Sequence, residues 1–363
     1  MNQKVIQSVH IYILLIMSTG FMVHVLIIPT ILSTSNRDAW LSVIFSTVPF
    51  ILWIMLIFYI YKKLNNHNDI LSLLKQKLSQ SWVFIIFSIV FGSYFLISSF
   101  ITLKYTFFWA NNNYTFEVPN FVIVFLFALM CFYASAKGIR TISTIAFLIL
   151  PFVVFFGFLV GLGNSPNKNY ELLFPIFENG YKDFIQGLIH TCAGLFEIIF
   201  LLFLTPFIKD RLKVKWLILS GIILVFLILG PLVGTISEFG LEEAVKLRNP
   251  AFEQWKLLEI SSHITRLDFL SIFQWLSGAF VRISLSLFIA DKIFLIKKKT
   301  KWVLPILYLL LIIGACIPWN AISFYYFLQK FYFPISLIFQ ICTMLLLLLT
   351  IHLKGGHHEE NSK

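Results

Sequence analysis

Long apolar runs separated by short polar intervals organise the whole chain. Ten of them are legible, over residues 8–32, 38–62, 82–109, 119–135, 141–163, 184–206, 214–236, 267–290, 302–318 and 331–352. Each approaches or exceeds the roughly 20 residues a helix needs to cross a hydrocarbon layer. The pattern predicts an all-α polytopic membrane protein, with one ten-span, permease-like domain over residues 1–354 and a disordered polar tail over 355–363. Two intervals carry helical spacing of their own. Phe252, Trp255 and Leu258 or Glu259 predict a short surface helix between Ser237 and Arg266, and Ile70, Leu73, Leu74 and Leu78 mark another between Lys62 and Ser81.

Composition excludes a water-soluble core: 59% of residues are hydrophobic, 12% are charged, and the mean hydropathy is +0.87. The net charge of +11 invites a nucleic-acid reading, but its distribution argues for orientation instead. Eighteen of the 28 basic residues fall on one side of the ten spans, eight on the other, and Lys104 and Arg282 within spans. By the excess of positive charge on the inner side, both termini are expected in the cytoplasm, with the basic face against anionic lipid and no nucleic-acid partner. Cys131, Cys192, Cys316 and Cys342 lie within spans and read as packing residues. No metal spacing, nucleotide loop or catalytic constellation emerges, so neither a cofactor nor an enzyme is expected.

The chemistry sits in mid-span. Ala193-Gly194-Leu195-Phe196-Glu197 places a carboxylate beside a helix-loosening glycine, and Ser18-Thr19-Gly20 interrupts the first span in the same way. Carboxylates are costly to bury in a bilayer, and two interrupted spans at corresponding positions point to a midplane site. The expected architecture is two inverted five-helix repeats with discontinuous helices 1 and 6. Free N–H groups at Ser18, Thr19, Gly20, Ala193 and Gly194 would suit a carboxyl group, and freed carbonyls an ammonium group. Glu197 reads as a gating or structural group, with His190 or Arg282 as its partner. Helical spacing adds walls at Tyr94 and Ser98, and at Ser277, Phe280 or Val281, Ser284 and Phe288. Lys104 is expected to snorkel outward.

Four segments, in order along the chain, resemble the B subunits of spore germinant receptors. They are Arg37-Asp38-Ala39-Trp40-Leu41-Ser42, Leu173-Phe174-Pro175-Ile176-Phe177-Glu178-Asn179-Gly180, Ala193 to Glu197, and Arg266-Leu267-Asp268. The resemblance implies an amino acid/polyamine/organocation permease fold in the spore inner membrane, in complex with a membrane A subunit and a lipoprotein C subunit. It also implies a nutrient sensor that binds a germinant such as an amino acid and triggers germination. Carried onto this chain, the pocket falls at Ser18 to Gly20, Tyr94, Ser98, Gly194 to Phe196, Ser284 and Phe288. One departure is Leu195, which separates Gly194 from Phe196 where the family often has a tighter Gly-Phe-Glu turn. The rival reading is an amino-acid transporter coupled to H+ or Na+. A membrane interior with Glu197 as its principal acid favours the sensor.

Overall fold

The computed structural model describes residues 4–64, 70, 74, 81–178, 180–259, 266–294 and 301–352. The tail 355–363, Leu73, Leu78 and Asn179 lie outside the described residues. The helices are α1 Ser8–Phe21, α2 Ile28–Ser35, α3 Ala39–Leu64, α4 Ser81–Asn113, α5 Asn120–Lys137, α6 Ile139–Gly163, α7 Tyr181–Leu195, α8 Val214–Phe239, α9 Leu241–Ala244, α10 Pro250–Leu257, α11 Leu270–Phe294, α12 Val303–Cys316, α13 Ala321–Phe327 and α14 Phe333–His352. Among the described residues there is no strand, only an isolated bridge between Ile6 and Ile208.

Among the described residues eight helical stretches are long and apolar enough to span a membrane, and they make the chain an integral membrane protein. One of them, Ser8–Leu64, has 57 residues. As a single rod it would measure about 85 Å, nearly three times the hydrocarbon thickness. It is folded at Asn36, whose φ of 50° lies in a region that Asn tolerates better than most residues. The reversal shows in the contacts along α7 and its continuation: a Cβ at Gly187 would meet both Ser35 and Ser42. Ile27 lies at Gly194 and Trp53 at Phe196, so α1–α2 and α3 run in opposite directions over the same helix. By contrast, α12 has 14 residues and falls short of spanning length.

Burial follows chemistry in the sense expected in lipid. The most apolar stretch, within Ile139–Asn167, is 6% buried, whereas the least apolar, within α11, is 78% buried. Polar side chains on α11 can only be satisfied inside the bundle, and the plain hydrocarbon surface of α6 is left to the acyl chains. Two helices run further than the apolar runs suggest, so Glu238 and Asp291 fall inside α8 and α11 rather than beyond them.

The expected unwound breaks do not form. α1 continues through Gly20 and passes into a π-helix, Met22–Ile27. α7 continues through Gly194 and passes into a 12-residue 3₁₀ helix, Phe196–Phe207. A second π-helix, Leu328–Tyr332, joins α13 to α14. The glycines loosen helix geometry without opening it, and side chains serve the carbonyls where it is irregular. Gln340 donates to Ala193 O at 3.1 Å and Trp53 Nε1–H to Phe196 O at 3.0 Å. Pro231 deprives Leu227 O of its helical N–H donor, and His24 Nδ1–H supplies one at 2.9 Å.

Lys104 does not snorkel. It is buried, and its Nζ donates to Ala315 O at 2.8 Å and Ile317 O at 2.7 Å, serving carbonyls at the C-terminal end of α12. The surface helix forms as expected: Phe252 and Trp255 of α10 are buried, and Phe252 packs edge-on against Trp109 at 5.5 Å.

At the lysine-rich end, the segment before α1 is tied to the segment after the 3₁₀ helix. Val5 N–H and Ile6 N–H donate to Phe207 O, and Lys209 N–H donates to Ile6 O. Asp210 accepts from Ser8 N–H and Ser8 Oγ–H, both at 2.6 Å, placing a carboxylate at the positive end of α1. Burial alone would raise the Asp210 carboxyl, and the Ser8 hydrogen bonds outweigh it and hold it below its usual range. A depressed carboxyl stabilises fully above the unfolded value and loses that contribution as pH falls through the folded one. Asp210→Ala is expected to cost about 0.5–1 kcal/mol near neutrality, the low end for a lost acceptor at a helix N-terminus because the carboxylate is exposed and screened by solvent. Thermal melts in detergent across pH should show the parent and the variant converging in acid.

Candidate functional site

The centre of the bundle is a charge pair in a setting otherwise built of hydroxyls and apolar side chains. Arg282 of α11 has no exposed surface. Its guanidinium spends all five N–H donors: Nε on Thr102 Oγ1 at 2.9 Å, Nη1 on Ser18 O and Glu197 Oε1, and Nη2 on Ser98 Oγ at 2.8 Å and Met22 Sδ at 3.7 Å. One side chain thereby joins α1, the first π-helix, α4, α11 and the start of the 3₁₀ helix. Breaking such a pair by removing one partner typically costs about 3–5 kcal/mol, because the other charge is left buried alone.

Glu197 is held far more lightly. Oε1 carries the ion pair, while Oε2 is buried with no hydrogen-bond partner. A cavity of about 30 Å³ adjoins it, lined by Glu197 with Ser18, Thr19, Ser286, Phe95 and Phe200 among others. That volume accommodates one or two water molecules.

A second polar cluster stands beside the pair. Tyr94 OH and Ser336 Oγ are 2.7 Å apart, and Gln340 Nε2 bridges Ser336 Oγ and Ala193 O. Tyr332, from the second π-helix, lies within electrostatic reach of Arg282 and Glu197. Tyr332 OH, Gln340 Oε1 and His190 Nδ1 join Glu197 Oε2 among the buried polar atoms without a partner. Native interiors seldom leave such atoms unsatisfied.

The structure brings Ser18, Thr19, Ser98, Glu197 and Arg282 together, with Tyr94 next to them. It separates the others. A Cβ on Gly20 would meet Leu227 at 3.3 Å, and one on Gly194 would meet Ile27 at 2.7 Å and Val23 at 3.1 Å, so both glycines are close-packing points. Ala193 contributes its carbonyl to Gln340, and Leu195 is wholly buried. Phe196 stacks on Trp53 at 4.2 Å, away from the cavity. Ser284 turns toward α5, donating to Cys131 O at 3.4 Å, and Phe288 packs on Phe207 at 5.4 Å. His190 meets Phe333 edge-on rather than Glu197, whose partner is Arg282. Thr102, Ser286, Ser336 and Gln340 escaped the sequence reading. The first two lie four residues beyond Ser98 and Arg282, a spacing that puts them on the same faces.

Two of the four resembling segments also meet. Arg37 Nη1 donates to Glu178 Oε2 at 2.7 Å, Phe177 N–H to Asp38 Oδ1 at 2.8 Å, and Asn36 Nδ2 to Asp183 Oδ2 at 2.9 Å. The turn before α3 and the loop before α7 thus form one junction. Arg266 and Tyr114 converge on Asp268 at the same end.

Arg282→Met is expected to lower stability by about 3–5 kcal/mol, and Arg282→Met with Glu197→Leu to recover most of the loss, since the apolar pair leaves no orphaned charge. Thermal melts of the single and double variants in one detergent decide it, and a double variant no better than the single would contradict the assignment.

A family model described as spore germination protein matches residues 7–324. The chain is 38% identical to spore germination protein XB of Bacillus anthracis over 332 residues, covering 90% of this chain and 92% of that one. It is 23% identical to spore germination protein GerQB of Bacillus cereus over 290 residues, 77% of each chain. A third relative, spore germination protein B2 of Bacillus subtilis (strain 168), is 26% identical over 208 residues, 52% of this chain and 51% of that one. With most of its length matched by the family model and by a relative of nearly equal extent, the chain belongs to the spore germination protein family.

Proposed function

We propose that this chain is the nutrient-sensing subunit of a spore germinant receptor, and that it binds a small germinant, an amino acid, at the Arg282–Glu197 crossing. The observation that carries the reading is the concentration of buried, unpartnered polar atoms around one ion pair in mid-bundle, in a chain of the spore germination family. Such atoms mark a place where a polar ligand finds hydrogen-bonding partners. Contact falls to Ser18, Thr19, Tyr94 and Ser98, with Gln340 and Tyr332 added. Gly20, Gly194 and Phe196 shape the helices that carry these groups.

The fold that fits this role has ten passes. The hairpin at Asn36 divides the 57-residue stretch into two, and α12 completes the count as a short span. Two inverted five-helix repeats would pair the first π-helix with the 3₁₀ segment, both next to the ion pair. The lysine-rich end faces the cytoplasm in this arrangement, in the spore inner membrane. The working unit is a complex with a membrane A subunit and a lipoprotein C subunit.

Transport coupled to H+ or Na+ is the competing reading. Arg282 already supplies a fixed positive charge at the crossing, which favours a binding protein over one that recruits a coupling cation. Reconstitution separates the two: a sensor binds labelled amino acids without concentrating them in vesicles, whereas robust uptake by this chain alone would establish a transporter. Gly194→Trp offers a second check. The Cβ alone would press on Ile27, so the indole must part α7 from the first π-helix. The germination response should vanish while the protein stays in the membrane fraction, and a normal response would remove this crossing from the sensing path.

A further inference from the structure

The Arg282–Glu197 pair is anchored asymmetrically. Arg282 keeps Thr102, Ser98, Ser18 O and Met22 even without its carboxylate, whereas Glu197 has one bond, one idle oxygen and a cavity beside it. If the pair opens, Glu197 is the partner that yields. Opening it without compensation leaves two buried charges unpaired. A ligand with both signs of charge, about two bonds apart, gives each of them a new partner: its anion meets Arg282 and its cation meets Glu197, so that charges alternate along a line of four.

We infer that the ligand is recognised as a zwitterion inserted into this ion pair, with its carboxylate on Arg282 and its ammonium on Glu197. The inference rests on the proposed function and gives it a mechanism of recognition. The surrounding atoms suit it. Gln340 Oε1 accepts only, Tyr332 OH is free to accept, and both are unpartnered, so the ammonium finds further acceptors next to the pair. Ser98 and Thr102, already bonded to Arg282, hold the guanidinium at a fixed angle for the incoming carboxylate. The cavity of about 30 Å³ is smaller than an amino acid, and it is the space into which Glu197 withdraws. Binding therefore exchanges one ion pair for two and moves the second residue of the 3₁₀ helix.

The test uses the purified full-length chain and three probe mixtures at equal millimolar concentration: the twenty common L-amino acids, their carboxamides, and the corresponding acids lacking the amino group. Thermal shift and competition against the labelled amino-acid mixture are the readouts. Amino acids should compete at least about tenfold better than either other set, as expected for loss of one charged hydrogen-bonding partner. In Glu197→Gln, the deaminated acids should gain on the amino acids to within about threefold, while the carboxamides remain poor, because only the ammonium partner has gone. Carboxamides or deaminated acids that match amino acids on the parent chain overturn the insertion and leave the amino-acid reading standing. A chain that responds to none of the mixtures overturns the amino-acid reading itself, and the insertion with it.

Discussion

A guanidinium with no exposed surface, in the middle of a membrane bundle, is the constraint around which the rest is arranged. Arg282 cannot shed its charge, so its surroundings must supply five acceptors and one negative charge. Those groups come from four elements, α1, the first π-helix, α4 and the 3₁₀ helix, which fixes the depth and rotation of each against α11. The polar composition of α11 and its central position follow from this, as does the exile of α6 to the lipid surface. In water a pair of this kind contributes little. In hydrocarbon its absence would strand polar groups that have no solvent to return to.

Helix irregularity is the second consequence. Two π-helices and a long 3₁₀ helix adjoin the crossing, and each carries a residue that reaches it: Met22, Glu197 and Tyr332. A π turn inserts a residue and rotates everything after it, while a 3₁₀ stretch turns side chains through 120° per residue. Regular α geometry repeats every 100°. The departures aim side chains at one point from helices whose ideal faces would miss it. Part of their cost is met by Trp53 and Gln340, each donating to a carbonyl at the junction of α7 with the 3₁₀ helix.

Much of this was legible in the sequence. The spans, the expense of Glu197 and Arg282 in mid-membrane, and the polar pair Tyr94 and Ser98 are readable because lipid tolerates so few polar residues that each one is informative. The phase of the helices was not. Serines stand on more than one face of α11, so the spacing that selects Ser284 and Phe288 passes over Ser286. Gln340 was a visible anomaly within the apolar run of α14, yet a single amide does not say which helix it serves. The glycines misled for a related reason: Gly20 and Gly194 signal loosened backbone and close approach equally well, and here they mark close approach. Lys104 was misjudged because its depth was read without α12 beside it.

The long 3₁₀ helix also links the crossing to the lysine-rich end of the bundle. Its twelve residues rise about 24 Å, whereas the same residues as α-helix would rise about 18 Å. Runs of this length are uncommon because 3₁₀ hydrogen bonds are poorly aligned, so the stretched form needs support from outside the helix. Support is visible at both ends: Trp53 Nε1–H donates to Phe196 O at the start, and at the exit Val5 N–H and Ile6 N–H donate to Phe207 O, with Asp210 at Ser8. Glu197 sits near the junction of the two helix types, where its tether to Arg282 bears on the stretched segment. The segment is also packed along its length, Phe196 against Trp53, Phe200 against Tyr94 and Phe203 against Phe95, so a movement of Glu197 acts on the rest of the bundle through those aromatic contacts.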